Sequence, residues 1–440
     1  MFVRKPDTTI IKEKGDEFIV INCMNGAFCT VNSMGAFFLS MLDGTNNIED
    51  LATSAIQNIE GVSTPELIQD MTDFYKSMQE NGFVRVGNSP KSVEDYPLES
   101  LHVEITMKCN ERCLHCYLPN SVKNKGAAMP FNLFKRMIDD FANMGGEQVS
   151  LSGGEPLLHP HFLDFLYYCK SKNLKISVFS NLTLLDESIT KAMKETKVEN
   201  VQVSIYSMNP QIHDKITTVK GSLAKTLRAI DYLLDAGIEV QIACPVMSYS
   251  KDDVLEIMNF AKEKNIHLRM NALLLSKSDG DDSSAKALSL TKNEIKQLYE
   301  KLLGADDKYT RDYLTEFNNA TEEFCNHPTD FLSNPICSAG ISGCCVSSSG
   351  IVTPCPDWDS YQLGDLKKNS LNHIWNNSEK LKVLRRLNQQ RNFAKCLECE
   401  NIDFCKRCLI RNSQLNNGDL LCFNDTICSE AAQMRKLFAK

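Results

Sequence analysis

Residues 101–116, LHVEITMKCNERCLHC, decide the fold. LHVEITM reads as a strand. The loop that follows places Cys109, Cys113 and Cys116 at C-x3-C-x2-C. Three thiolates wrapped this tightly can hold three irons of a four-iron cubane. The fourth iron is then left without a protein ligand, which makes it a reaction site. By spacing alone, a zinc site or a purely structural cluster fits as well.

Downstream, the chain alternates strand and helix. EQVSLS (147–152), LKISVFS (174–180), NVQVSIY (200–206), EVQIACPVM (239–247) and HLRMNALLL (267–275) read as strands. Helical stretches such as FNLFKRMIDDFANMG and SLAKTLRAIDYLLDAG lie between them. Such alternation predicts a parallel sheet. Six units are too few for a closed eight-unit barrel, so residues 91–310 are expected to form an α/β partial (β/α)6 barrel. Its chemistry belongs at the C-terminal ends of the strands. The second strand ends in Ser152-Gly153-Gly154-Glu155-Pro156. Paired glycines let a backbone approach a ligand closely and expose amide donors.

Upstream, residues 1–90 read as a small α+β unit. TTIIKEKGDEFIVINCMNGAFCTVN suggests three strands with turns at Gly15 and Gly26. Three helices follow, in SMGAFFLSMLDG, NIEDLATSAIQNIEG and STPELIQDMTDFYKSMQENG. The third carries a cap at Ser63, Pro65 in its first turn, Glu66, and Gly82 as its stop. A last strand, FVRV, closes the unit, and the polar stretch GNSPKSVEDYP (87–97) is a linker.

Composition narrows the class. The 440 residues suit two or three domains, and 42% are apolar. Lys plus Arg number 48 against 56 Asp plus Glu, for a formal charge of −8. No basic segment supports nucleic-acid binding. Apolar runs such as FIVI (18–21) are too short to span a bilayer, and MFVRKPDTT lacks the pattern of a secretory signal. A soluble, cytoplasmic protein is expected. Eighteen cysteines in a reducing compartment point to metal rather than disulfides. Outside the 109–116 loop they crowd into residues 311–440, apart from Cys23, Cys29, Cys169 and Cys244. Cys169 and Cys244 read as buried hydrophobes. The cysteine-rich end reads as loops with little apolar core, stapled by metal, and one helix near 379–390.

C-x3-C-x2-C after the first strand and GGEP after the second resemble the radical S-adenosylmethionine superfamily over about 101–300. The resemblance implies that the ligand's amino and carboxylate groups chelate the open iron. It further implies that the sulfonium is cleaved to a deoxyadenosyl radical, which abstracts a hydrogen atom. Gly153, Gly154 and Glu155 match the contact to the amino group. Ser180, Asn181 and Ser204 match positions that reach the ligand, although polar strand ends are common. His115 departs from the aromatic residue that many members carry before the third cysteine.

The C-terminal pattern resembles the SPASM domain, which binds auxiliary four-iron clusters. Cys337, Cys355 and Cys408 match one cluster; Cys396, Cys399, Cys405 and Cys428 match the other, with Cys422 as the alternative to Cys428. Cys325, Cys344 and Cys345 are candidates for the remaining ligand of the first. If none binds, its open iron could take a substrate thiolate. The Cys405–Cys408 gap is two residues where many relatives have three. Two C-x2-C pairs also suit zinc, although the five residues between them are few for a zinc ribbon.

Residues 1–90 resemble a precursor-peptide recognition domain, a winged-helix-like fold that captures a leader peptide by strand addition. The whole order resembles thioether-forming (sactipeptide or ranthipeptide) peptide maturases, including the subtilosin-maturation type. That resemblance implies a cysteine sulfur joined to an unactivated carbon of the same peptide. It implies three [4Fe-4S] clusters, S-adenosylmethionine, a precursor peptide with a leader, and a flavodoxin- or ferredoxin-type electron donor. Asp357, just after Cys355, is the candidate base by position, against the plainer reading of a solvated turn aspartate. Competing readings are another SPASM radical enzyme (a sulfatase-maturing oxidase, an epimerase or a carbon–carbon crosslinker) and a non-enzymatic, metal-stapled peptide-binding protein.

Overall fold

Short apolar runs separated by turn residues pair as antiparallel strands, and the chain opens this way. In the computed structural model, the described residues are 2–5, 9–14, 17–22, 28–59, 61–80, 82–87, 96–119, 127–272, 274, 276–277, 281–304, 335–405, 407–415, 418–422 and 425–438. The expected turns at Gly15 and Gly26, most of the 87–97 linker, Cys23 and Cys325 lie outside them. The chain divides into two compact units, Met1–Pro97 and Leu98–Lys440.

In the first unit, β1 (Phe2–Arg4) precedes β2 (Thr9–Lys14), β3 (Glu17–Asn22) and β4 (Phe28–Val31), and β2-β3-β4 is an antiparallel sheet. Helices α1 (Ser33–Ser40), α2 (Ile48–Ala55) and α3 (Thr64–Glu80) follow. Asn32 and Asn47 cap α1 and α2 by accepting from the amides of Gly35 and Asp50. The Ser63 hydroxyl donates to Glu66 at the start of α3. The helices bury Leu39, Leu51, Met71 and Tyr75 in one core with Val20 of β3. Two strands were not expected, β1 and β5 (Asp43–Asn47). With β6 (Arg85–Gly87), which overlaps the expected FVRV strand, they form a second sheet in the order β5-β1-β6. The DGTNN run of β5 has no apolar alternation, so its strand character comes from pairing with β1 and not from propensity.

The second unit is built on the alternating segment. Strands β7 (Ser100–Thr106), β8 (Gln148–Gly153), β9 (Lys175–Ser180), β10 (Asn200–Ser204), β11 (Glu239–Pro245) and β12 (His267–Asn271) pair in parallel and in sequence order. Six helices are interleaved with them: α4 (Phe131–Asn143), α5 (Phe162–Ser171), α6 (Glu187–Glu195), α7 (Pro210–Thr217), α8 (Ser222–Asp235) and α9 (Val254–Glu263). Leu101, Val103, Val149, Leu151, Ile176, Val178, Val201 and Val203 are almost wholly buried along the strands. Phe134 of α4 stacks on Phe165 of α5 at 4.1 Å. Alternating with these apolar positions on β7 are His102 and Glu104, and the His102 ring meets Phe179 of β9 at 5.5 Å on that other face. Cys169 and Cys244 are buried as expected.

After α10 (Ser283–Leu288) and α11 (Lys292–Leu303), the cysteine-rich segment does something its sequence did not announce. Strand β13 (Gly343–Val346) joins the barrel sheet parallel to β7, pairing Cys345 with His102. β14 (Ile351–Thr353) and β15 (Gly364–Asp365) extend the sheet antiparallel. The expectation of little apolar core also needs correction. Helices α12 (Leu371–Asn377) and α13 (Glu379–Leu387) bury Leu371, Trp375, Leu381 and Leu384, and the Arg385 guanidinium covers the Trp375 ring at 4.6 Å. Short helices α14 (Ala394–Leu397), α15 (Leu409–Leu415) and the longer α16 (Asp425–Phe438) carry or flank the last cysteines. Among the described residues no helix is long and apolar enough to cross a membrane.

Candidate active site

The loop after β7 is tied down on two sides by its backbone. On one side the Gly154 amide donates to the Thr106 carbonyl at 2.7 Å, and the Glu155 amide to the Lys108 carbonyl at 2.8 Å. A Cβ on Gly153 would lie 2.0 Å from the Thr106 oxygen, and one on Gly154 2.3 Å from the Lys108 oxygen. Gly153 also holds φ +139°, where side chains are strained. The paired glycines therefore admit the cysteine loop itself, and the amides of Gly154 and Glu155 are spent on it. This corrects the expectation that those amides stand exposed for a ligand. On the other side the Arg112 and Leu114 amides donate to the carbonyls of Thr217 and Ile216 at the end of α7.

Side chains complete the frame. Asn110 donates to Thr183 at 2.7 Å and accepts from the Asn181 amide group at 2.9 Å. The Glu155 carboxylate accepts from the Ser180 hydroxyl at 2.7 Å, from the Asn181 amide at 2.8 Å and from the Leu157 amide at 3.0 Å. It is wholly buried, and burial pushes it up to about 7 while those three hydrogen bonds pull it down. Glu155, Ser180 and Asn181 thus join the ends of β8 and β9 to the cysteine loop. Ser204, at the end of β10, sits with Tyr206 and His213.

Cys109, Cys113 and Cys116 are half-buried on this one framed loop, and none is in a disulfide. The Glu111 amide donates to the Cys109 sulfur at 3.4 Å. Cys113 and Leu114 rest against an apolar group of Tyr206, Ile216, Met247 and Leu288. A short loop, held by its backbone against a glycine cradle and carrying three cysteines, fits a three-cysteine cluster with an open corner. His115 takes the place of the expected aromatic and does its packing, edge-on to Tyr206 at 4.8 Å.

The C-terminal cysteines gather in two groups. Cys337 and Cys355 lie within electrostatic reach of each other and of Cys408. Cys396 and Cys405 are likewise in reach of Cys399 and Cys428. Burial pushes Cys405 up to about 11, with the Arg407 charge opposing. A buried thiol of this kind ionises readily only when a cation stabilises its thiolate, and the irons of an iron–sulfur cluster are such cations. Among the described residues no three His, Cys, Asp or Glu side chains close on a single ion. A four-iron cube instead holds each cysteine at its own corner. Cys344 and Cys345 are both buried on β13; Cys345 is in reach of Cys355 and Glu104, and Cys344 of Arg385.

Sequence reasoning missed one pair. Glu104 of β7 is 1% exposed and accepts from the Tyr117 hydroxyl at 2.5 Å. Burial, with the charges of Asp359 and Asp357 adding to it, pushes Glu104 up to about 7 against the Tyr117 hydrogen bond. Its signal was an acidic residue inside an otherwise buried strand, which has to find a partner. Asp357, taken above as a candidate base or a solvated turn residue, is half-buried, and burial and Asp359 raise its carboxyl. Its charge reaches both Cys355 and the Glu104–Tyr117 pair.

Comparison with known proteins agrees with this geometry. The radical SAM superfamily profile matches residues 103–261, and the SPASM iron–sulfur cluster-binding domain matches residues 337–408. An AdoMet-dependent heme synthase of Methanosarcina barkeri is 25% identical over 72% of this chain and 93% of its own. The antilisterial bacteriocin subtilosin biosynthesis protein AlbA of Bacillus subtilis is 26% identical over 79% of this chain and 78% of its own. Streptococcus suis SuiB, solved bound to its precursor peptide SuiA, superposes with a TM-score of 0.63 at 17% identity, covering 97% of this chain and 99% of that one.

Proposed function

We propose that this enzyme, whose chain carries a radical SAM domain and a SPASM domain, matures a ribosomally made peptide by joining a cysteine sulfur to an unactivated carbon within it. When bound, the barrel cluster and S-adenosylmethionine supply a radical that abstracts a hydrogen atom. Cys109, Cys113 and Cys116 hold that cluster. The ends of β8, β9 and β10, with Gly153, Gly154, Glu155, Ser180, Asn181 and Ser204, shape the nucleotide's seat. Cys337, Cys355 and Cys408 hold one auxiliary cluster, and Cys396, Cys399, Cys405 and Cys428 the other. Asp357, beside Cys355, takes the thiol's proton, and an auxiliary cluster would supply the acceptor for the electron released when the bond closes.

The observation that carries the peptide reading is the unit Met1–Pro97. Its β2-β3-β4 sheet has β2 and β4 at its edges among the described residues, and Phe28 of β4 is 75% exposed. An edge strand can pair with an extended peptide through main-chain hydrogen bonds. Support comes also from AlbA and SuiB, whose names tie them to subtilosin biosynthesis and to a precursor peptide. A flavodoxin- or ferredoxin-type donor in the cytoplasm completes the reading. The heme synthase relative favours a second one, a tetrapyrrole substrate. Co-expression with a cysteine-containing precursor encoded nearby, read by mass spectrometry, separates them. Loss of two hydrogens per link, with the sulfur resistant to alkylation, supports the thioether. Unlinked cysteines beside a carbon–carbon bond or an inverted residue would sink it.

A further inference from the structure

Tyr206 lies two residues past the end of β10 and is 5% exposed. Its ring is clamped between two imidazoles, His115 edge-on at 4.8 Å and His213 at 5.2 Å. His213 is itself fixed, with Nδ1 against the Ser222 hydroxyl at 3.2 Å. That hydroxyl donates to Asp214, whose carboxylate also accepts from the amides of Gly221 and Leu223. The phenol therefore has little freedom, and its hydroxyl points at the Cys113 sulfur, 3.8 Å away. A buried phenol needs a polar partner, and here a cysteine of the loop supplies it, with Ser204 nearby.

We infer that Tyr206 is a positioning residue that sets the reduction potential of the barrel cluster, by donating a hydrogen bond to the Cys113 sulfur. The inference rests on the assignment of Cys109, Cys113 and Cys116 to that cluster. A donor at a ligating sulfur draws charge from it and favours the reduced state, one of the main ways a protein tunes such a cluster. The same hydroxyl lies near Ser204, at the strand end assigned to the nucleotide. One phenol thus adjoins both halves of the site.

The test is a redox titration of the full-length reconstituted enzyme, followed by electron paramagnetic resonance of the reduced cluster signal that changes on adding S-adenosylmethionine. That response separates the barrel cluster from the auxiliary ones. Tyr206→Phe keeps the ring and removes the donor. It is expected to shift the midpoint to more negative potential with the iron content unchanged. An unmoved midpoint with full iron overturns the inference. Should Tyr206→Phe lose iron, difluorotyrosine at position 206 keeps the fold and strengthens the donor. Its midpoint is expected to move to more positive potential, and no movement again overturns the inference. If the unmodified enzyme shows no signal that responds to S-adenosylmethionine, the cluster assignment fails and takes this inference with it.

Discussion

Two residues, Gly154 and Glu104, give the site's frame its sharpest single-residue tests. Gly154 admits the cysteine loop because a Cβ there would meet the Lys108 oxygen at 2.3 Å. Gly154→Ala should displace the loop and lower the iron bound per chain by roughly four, the content of one cubane. Full iron in that variant would show the cradle to be dispensable. Glu104 offers a titration test in the apoprotein. A glutamate ionises near 4.5 in the unfolded chain, whereas burial holds Glu104 at about 7. Folding thus favours its protonated form, and that stabilisation, complete below 4.5, is lost as pH rises through about 7. His102 and His213, each held down at about 4 by burial, act with the opposite sign over much of the same range. The informative quantity is therefore a difference. Between about pH 4.5 and 7, the unfolding midpoint of Glu104→Gln should gain on that of the wild type. A constant difference would mean that Glu104 is not held protonated.

At the scale of elements, the barrel helices are held by aromatic packing. Phe134→Ala removes a ring stacked at 4.1 Å on Phe165 in a site closed to solvent. It should cost about 3–5 kcal/mol in denaturant unfolding, and a loss under about 1 kcal/mol would show that the site collapses around the gap. The six barrel strands and their order were legible in the sequence, because strand–helix alternation leaves a parallel sheet few options. The cysteine loop was legible for a different reason, since ligand spacing is a local property. What could not be read was the placement of β13. GCCV looks like part of a cysteine pattern, and nothing local says that it pairs with SLHV more than two hundred residues earlier. The β5 strand escaped for the same reason, its pairing being tertiary. Tyr206 was visible only as a strand residue, because its partner Cys113 comes from a distant loop.

At the scale of the molecule, two compact units predict separable tasks. A chain beginning at Leu98 should fold, bind iron and cleave S-adenosylmethionine, yet leave the precursor peptide unprocessed. Full processing by that chain would remove the recognition role from the N-terminal unit. The cysteine-rich end cannot be separated so cleanly, because β13 is part of the barrel sheet. Truncation before Cys337 should therefore destabilise the barrel as well as empty the auxiliary sites. The central claim is that Cys109, Cys113 and Cys116 hold a cluster with one open iron that cleaves S-adenosylmethionine. It is tested most directly by counting deoxyadenosine formed by anaerobically reconstituted enzyme under strong reductant. The account predicts deoxyadenosine from the wild type and none from the triple alanine variant of those cysteines, which keeps its auxiliary iron. Wild-type protein that holds zinc without iron, or that forms no deoxyadenosine, would contradict it.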